Sequence, residues 1–335
     1  MFQWQDDLKI NGSNIFIDSK ICRSLCFVSH AHSDHLAQHE HAVCTAETAA
    51  LAEYRVGVQR VTEIRHGQTI SAGELDPHVS LTALPAGHVL GSAMLLARRD
   101  DGHSLLYTGD YKLRPCLTVP SAELARADVL VMESTYGLPF FRFPPRESSE
   151  AQLLDLVESA FRANRQPIVM GYSLGKAQEA VRILTAGGHA VTCHGAVHAM
   201  CKIYNDFGVD LGAYRRYRFE DFHGPAALDL RERGVLVAPP NCARAGFATR
   251  FEKPCRIVLS GWALLKNAIY RYGVEHAVPL SDHADFDELL ETVERVAPKK
   301  VYTHHGYPEF ADTLRVRGID ATLARPDPQM WLFGE

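Results

Sequence analysis

Three histidines and an aspartate crowd into six residues, His30-Ala31-His32-Ser33-Asp34-His35. Neutral imidazole and carboxylate oxygen are the natural ligands of borderline divalent metals such as zinc and manganese. In extended backbone His30 and His32 point to one side. A turn after them can swing Asp34 and His35 to a second, adjacent site. Two more ligand types follow in order: His88 in Gly87-His88-Val89-Leu90-Gly91-Ser92, and Asp110 in Thr108-Gly109-Asp110. Alone, His88 reads as a structural histidine and Gly109-Asp110 as a turn. After the first cluster, and at the ends of candidate strands, they read as ligands of a metal pair.

The elements that must position these residues are short strands. Ile15–Ile17, Leu25–Val28, Val79–Leu84, Met94–Ala97 and Leu105–Tyr107 carry strand patterns, and Ala46–Tyr54 a helical one. Val129–Met132 predicts a buried strand ending at Glu133. After Gly137 the texture becomes strand–turn–helix. A helix is expected over Ser148–Ala163, a strand over Pro167–Met170 and a helix over Lys176–Leu184. Further buried strands are expected at Val235–Ala238 and Arg256–Leu259. Apolar residues at 286, 289, 290, 293 and 296 predict a helix over Phe286–Val296, followed by a strand at Lys300–Tyr302.

The 335 residues, 46% hydrophobic and 22% charged, exclude a disordered, collagen-like or coiled-coil chain. At about 150 residues per domain two domains are expected. No apolar run reaches the ~20 residues that span a bilayer, and the acidic start lacks a signal-peptide pattern. A cytoplasmic location with no membrane partner is therefore expected. The eight cysteines form no C-x-x-C pair and read as reduced thiols.

His-x-His-x-Asp-His, then a His ahead of Gly-Ser, then Thr-Gly-Asp, together resemble the metallo-β-lactamase superfamily. The resemblance implies an α/β fold, the αββα sandwich, with a dinuclear centre of zinc or manganese. It implies that His30, His32 and His88 hold one metal, that Asp34 and His35 hold the other, and that Asp110 bridges them. Glu133 in Met132–Gly137, His283 in Leu280–Asp285 and His305 in Tyr302–Gly306 resemble motifs A, B and C of the β-CASP nuclease branch. His305 would complete the second metal site, with His304 the alternative. Asp34, Glu133 and His283 would be catalytic, with His283 as general acid oriented by Glu133. Gly171–Gln178, Thr192–Ala196 and Ser260–Trp262 resemble the bacterial DNA-ligase-associated exonucleases, relatives of Artemis-type repair nucleases. Those Artemis-type proteins usually lack the motif C histidine that stands here.

The resemblance implies a metallo-β-lactamase domain of residues 1–137 and 278–335 with a β-CASP domain, 138–277, inserted into it. The inserted stretch holds 18 Lys and Arg against 13 Asp and Glu, the remainder 17 against 27. The relatively basic surface of the insert suits a polyanion. Arg215-Arg216-Tyr217-Arg218 reads either as a single-strand contact or as a salt-bridged surface. Ser173, Gly175 and Lys176 open a helix that reads either as a phosphate seat or as a plain helix start. The expected function is that of a phosphodiesterase, a metal-dependent DNA exonuclease in repair, with DNA favoured over RNA. By the resemblance, a repair ligase or helicase would be its partner. The alternatives are a β-CASP ribonuclease of RNA processing or decay, a small-molecule hydrolase and an inactive nucleic-acid-binding scaffold.

Overall fold

The computed structural model describes residues 2–4, 7–71, 78–218, 220, 234–243, 251 and 253–324. The chain divides into two compact units, Met1–Arg142 with His283–Glu335, and Phe143–Asp282. Both divisions fall about five residues later than the domain boundaries expected from the sequence.

The first unit contains two sheets. One runs in order through β1 (Phe2–Trp4), β2 (Leu8–Ile10), β3 (Phe16–Ile17), β4 (Cys26–Phe27), β5 (His41–Cys44) and β6 (Arg60–Glu63). The other has the order β19-β18-β11-β10-β9-β8-β7. Its strands are β7 (Thr69–Ser71), β8 (Val79–Pro85), β9 (Ala93–Arg99), β10 (Ser104–Tyr107), β11 (Val129–Ser134), β18 (Lys300–Gly306) and β19 (Ala321–Leu323). Alternation along β8 buries Val79, Leu81 and Ala83, the period-2 pattern of a strand with one face on a core. These side chains join Leu95, Leu105 and Val131 against Ile10, Ile17, Phe27 and Val43 of the first sheet. The other face of the second sheet, with Met94, Leu96, Leu106, Leu130 and Met132, is covered by α6 (Phe286–Val296) and α7 (Glu309–Val316). Helix α1 (Ala46–Val56) borders the first sheet at β6. The layering is αββα, as the sequence led us to expect.

Helix α6 matches its sequence pattern end to end. Asp285 accepts hydrogen bonds from the N–H groups of Asp287 and Glu288, both at 3.0 Å, and Glu288 reaches back to the Asp285 N–H. This reciprocal capping fixes where the helix begins. The cap stands two residues after His283, so it also fixes the exit of the chain from that histidine.

The second unit is one parallel sheet ordered β14-β13-β15-β12-β16-β17. Its strands are β12 (Gln166–Met170), β13 (Ala190–Cys193), β14 (Tyr214–Arg216), β15 (Gly234–Ala238), β16 (Pro254–Leu259) and β17 (His276–Val278). β12 and β15 are buried along their whole length, as strands covered on both faces must be. The helices of this unit are α2 (Arg146–Arg162), α3 (Lys176–Ala186), α4 (Gly195–Asp206) and the short α5 (Ala268–Tyr272). Among the described residues no helix is long and apolar enough to cross a membrane.

Candidate metal centre

In the first unit, strand ends and the turns that follow them carry the ligand-type side chains. The chain leaves β4 and reaches His30 three residues later, and a turn closed by the His35 N–H on the His32 carbonyl folds the histidine cluster back on itself. His88 follows β8, and Asp110 follows β10. One ligand atom each from His30, His32, His88 and Asp110 lie within 4.8 Å of one another. So do one each from His35, Asp110 and His305. Asp110 belongs to both groups. One carboxylate oxygen is 3.5 Å from His30 Nε2 and 3.8 Å from His88 Nε2, and the other is 3.4 Å from His35 Nε2.

His30 and His35 each bury an Nε2 that has no hydrogen-bond partner. A buried polar atom left without a partner is costly, so such atoms mark a missing ligand. Both histidines have the other ring nitrogen engaged: His30 Nδ1 lies 3.0 Å from Ser29 Oγ, and His35 Nδ1 lies 2.8 Å from Asp18 Oδ2. Outer bonds of this kind fix the tautomer and aim the inner nitrogen. Burial, then the neighbouring His35, holds His30 well below the usual histidine range, whereas Asp110 and Asp34 outweigh burial and hold His35 well above it. Burial works against charge on Asp110 too, yet the surrounding imidazoles, His35 foremost, hold its carboxyl well below the usual carboxylate range. The donor set and its orphaned nitrogens fit divalent metal ions.

Asp34 lies beside His35. Its side chain is about half exposed and its carboxylate is 3.8 Å from His35 Nε2. Burial works against charge on it, yet His35, then His32 and His305, hold its carboxyl below the usual range.

His305 reaches the site through a strand irregularity. Glu133 pairs with His304 and Ser134 with Gly306, so His305 is an extra residue in β18. It takes a left-handed conformation with φ 48°. A bulge re-aims one side chain without ending the strand. Here it places His305 beside His35 and Asp110, while His304 stacks on Tyr107 with ring centroids 5.5 Å apart. The next residue must be glycine, because a Cβ on Gly306 would lie 1.8 Å from the Ser134 carbonyl oxygen.

Glu133 is fully buried at the end of β11. Its carboxylate accepts from the Tyr111 N–H at 2.8 Å and from the Thr135 hydroxyl at 2.5 Å. His283 Nδ1 is 2.8 and 3.1 Å from its two oxygens. Burial pushes the Glu133 carboxyl up, against the opposing pull of His283. The His283 ring lies 4.8 Å from that of His88, which puts the pair beside the imidazole cluster.

One residue of this site escaped the sequence reading. Asp18 follows the two-residue β3 with φ 45°. It accepts from the Ser29 N–H at 2.7 Å, the Ser29 hydroxyl at 2.5 Å and the Tyr107 hydroxyl at 2.7 Å, as well as contacting His35. A single aspartate after so short a strand carries no local pattern. The strand ending just before it was the only available signal.

In the second unit the residues expected to seat a phosphate are arranged otherwise. Lys176 is buried and its ammonium is paired with the equally buried Asp282. The Gln178 side chain caps the start of α3 from within, accepting from the Gly175 N–H at 2.8 Å and donating to the Ser173 carbonyl. Of the two readings of this segment, the plain helix start agrees with these contacts, because the Lys176 charge is met inside the fold. Arg215 and Arg216 lie on edge strand β14 and Arg218 follows, all three exposed. Tyr217 is turned toward the apolar core of the unit and is not presented for base stacking.

The αββα layers, with imidazoles and carboxylates gathered at strand ends, define a metallo-β-lactamase fold. Residues 271–322 match the family model RMMBL, described as a Zn-dependent metallo-hydrolase RNA specificity domain. Over 95% of its length the chain is 36% identical to a probable DNA ligase of Opitutus terrae, covering 30% of that protein. Over 73% it is 34% identical to transcription termination factor FttA of Pyrococcus horikoshii, covering 47% of that protein. Over 77% it is 25% identical to cleavage and polyadenylation specificity factor subunit 3 of Dictyostelium discoideum, covering 38%. The chain thus spans between 30% and 47% of the length of these relatives. A crystal structure of a protein of unknown function from Enterococcus faecalis shares the fold, with a TM-score of 0.60 and 16% identity over 89% of this chain and 79% of that one. The chain belongs to the β-CASP metallo-β-lactamase nuclease family.

Proposed function

We propose that this chain is a metal-dependent nuclease that hydrolyses phosphodiester bonds in DNA, working from an end, in the cytoplasm and in the service of repair. The observation that carries the reading is the split of Asp110: its two carboxylate oxygens face separate imidazole groups, with the His283–Glu133 pair alongside. That arrangement supports two cations, held by His30, His32 and His88 on one side and by His35 and His305 on the other, with Asp110 between. Zinc suits this donor set, and manganese is the second choice. Bound there, the cations would polarise a phosphoryl oxygen and lower the pKa of a water.

The rest of the work falls to the chain. Glu133 fixes the His283 ring through Nδ1, which leaves the Nε2–H as the proton His283 can deliver to the departing 3′ oxygen. Acid assistance of this kind contributes typically ~10²–10⁴-fold. Tyr111 and Thr135 bind the remaining lone pairs of Glu133, so the carboxylate cannot rotate away from the imidazole.

The relative named as a probable DNA ligase, matched over nearly the whole chain, favours DNA and a ligase as partner. The RNA specificity domain matched at residues 271–322 favours the second reading, a ribonuclease. A time course on end-labelled single- and double-stranded DNA and RNA of one sequence, with zinc or manganese and with 5′-phosphate or 5′-hydroxyl ends, separates them. Mononucleotide release from DNA alone is the expected result. Cleavage confined to RNA would replace the first reading with the second.

A further inference from the structure

Asp18 meets His35 on the ring nitrogen turned away from Asp110, and one of its oxygens carries three donors. Oδ2 accepts from the Tyr107 hydroxyl at 2.7 Å, from the Ser29 hydroxyl at 2.5 Å and from His35 Nδ1 at 2.8 Å. Oδ1 accepts from the Ser29 N–H at 2.7 Å. A serine has a single hydroxyl proton, and here Asp18 takes it, so the Ser29 oxygen is left to accept from His30 Nδ1 at 3.0 Å. His30 and His35 are thereby linked twice. On the inner side their Nε2 atoms face the two oxygens of Asp110, at 3.5 and 3.4 Å. On the outer side their Nδ1 atoms meet through Ser29 and one oxygen of Asp18. Between these carboxylates the two imidazole centroids are 4.3 Å apart.

The surroundings hold this outer link in place. Ser29 and Tyr107 are both buried, and in such a setting hydrogen bonds strengthen one another and act together. A Cβ on Gly109 would stand 2.6 Å from Ser29 Oγ, so the glycine ahead of Asp110 makes room for that hydroxyl. The Tyr107 ring lies within 8° of parallel to His304, which sets the direction of the phenol by packing as well as by its hydrogen bond.

We propose that Ser29 and Tyr107 are positioning residues of the metal centre, and that through the shared oxygen of Asp18 they couple the His30 side to the His35 side. The two cations are then not held independently. The inference rests on the two-cation reading and deepens it, because it names the groups outside the ligand set that make the pair behave as one. Ser29 bonds to His30, yet it should matter equally for the cation beside His35. Tyr107 bonds to neither histidine, yet it should matter for both cations.

The test is titration of the full, metal-free chain with cobalt(II), followed by visible absorption and by competition with a chromophoric chelator. Two dissociation constants are then read without any substrate. Ser29→Ala and Tyr107→Phe each delete one hydroxyl, and each should weaken both constants about tenfold, the low end of what outer partners of ligating histidines contribute. The absorption bands of bound cobalt should shift in both variants. Unfolding of the metal-free variants separates a merely structural role, which would lower stability and leave constants and bands alone. The double variant should lose less than the product of the two single losses, because the second change frees a carboxylate that is already displaced. A fall in only one constant for Ser29→Ala, losses that multiply in the double variant, or constants and bands equal to the parent's would overturn the coupling and leave the two-cation reading intact. A parent chain that takes up fewer than two cations would sink that reading, and the coupling with it.

Discussion

A buried charge cluster in the second unit and one in the first are built from different side chains. In the second unit Lys176 and Asp282 close on each other, a cation and an anion both 3% exposed. In the first unit Asp110 is ringed by imidazoles, and two of them keep an inner nitrogen with no hydrogen-bond partner. Burial is common to both, so burial does not mark the functional one. The difference is composition: one sets an ammonium against a carboxylate, the other turns several imidazoles on a shared carboxylate. Such a ring of nitrogen and oxygen ligand atoms suits a divalent cation.

The contrast can be broken from either side. Asp110→Asn removes an anion shared by both imidazole groups. Metal content by elemental analysis and hydrolysis should both fall to background. Retention of both would mean that the cluster is as closed as the ion pair. His283→Ala should lower kcat by about 10²–10⁴-fold while metal content holds. Loss of metal instead would move His283 into the ligand set. Lys176→Met strands a buried carboxylate and should cost about 3–5 kcal/mol in denaturant unfolding. The double change Lys176→Met with Asp282→Leu should recover most of that, which a phosphate-binding lysine would not do. Asp18→Asn loosens the outer bonds to His35, Ser29 and Tyr107, and a fall of about 10–100-fold in metal affinity is expected by competition with a chelator. An unchanged affinity would show that His35 is aimed by its backbone alone.

Much of the first unit was legible because its signals are local. The spacing His30-x-His32-x-Asp34-His35 puts the ligands within one turn, and the apolar period of Phe286–Val296 set both ends of α6. Short edge strands such as β14 and β19, three residues each, left no periodicity to read. Helix α4 escaped although Val197, Met200, Cys201 and Tyr204 form its buried stripe, because its first residues read as a motif. The two readings of Lys176 stayed open in the sequence because its partner is 106 residues away, and no spacing rule reaches that far. Tyr217 looked like a stacking platform among arginines, but alternation along the chain sends it inward while its neighbours remain outside.

The additional residue in β18 can be removed without disturbing the pairs on either side of it. Glu133 already pairs with His304 and Ser134 with Gly306, so a chain lacking residue 305 would close into a regular ladder. What would go is the bulge, and with it the imidazole beside His35 and Asp110. At this one position folding and chemistry separate: the strand would survive while the site lost a ligand.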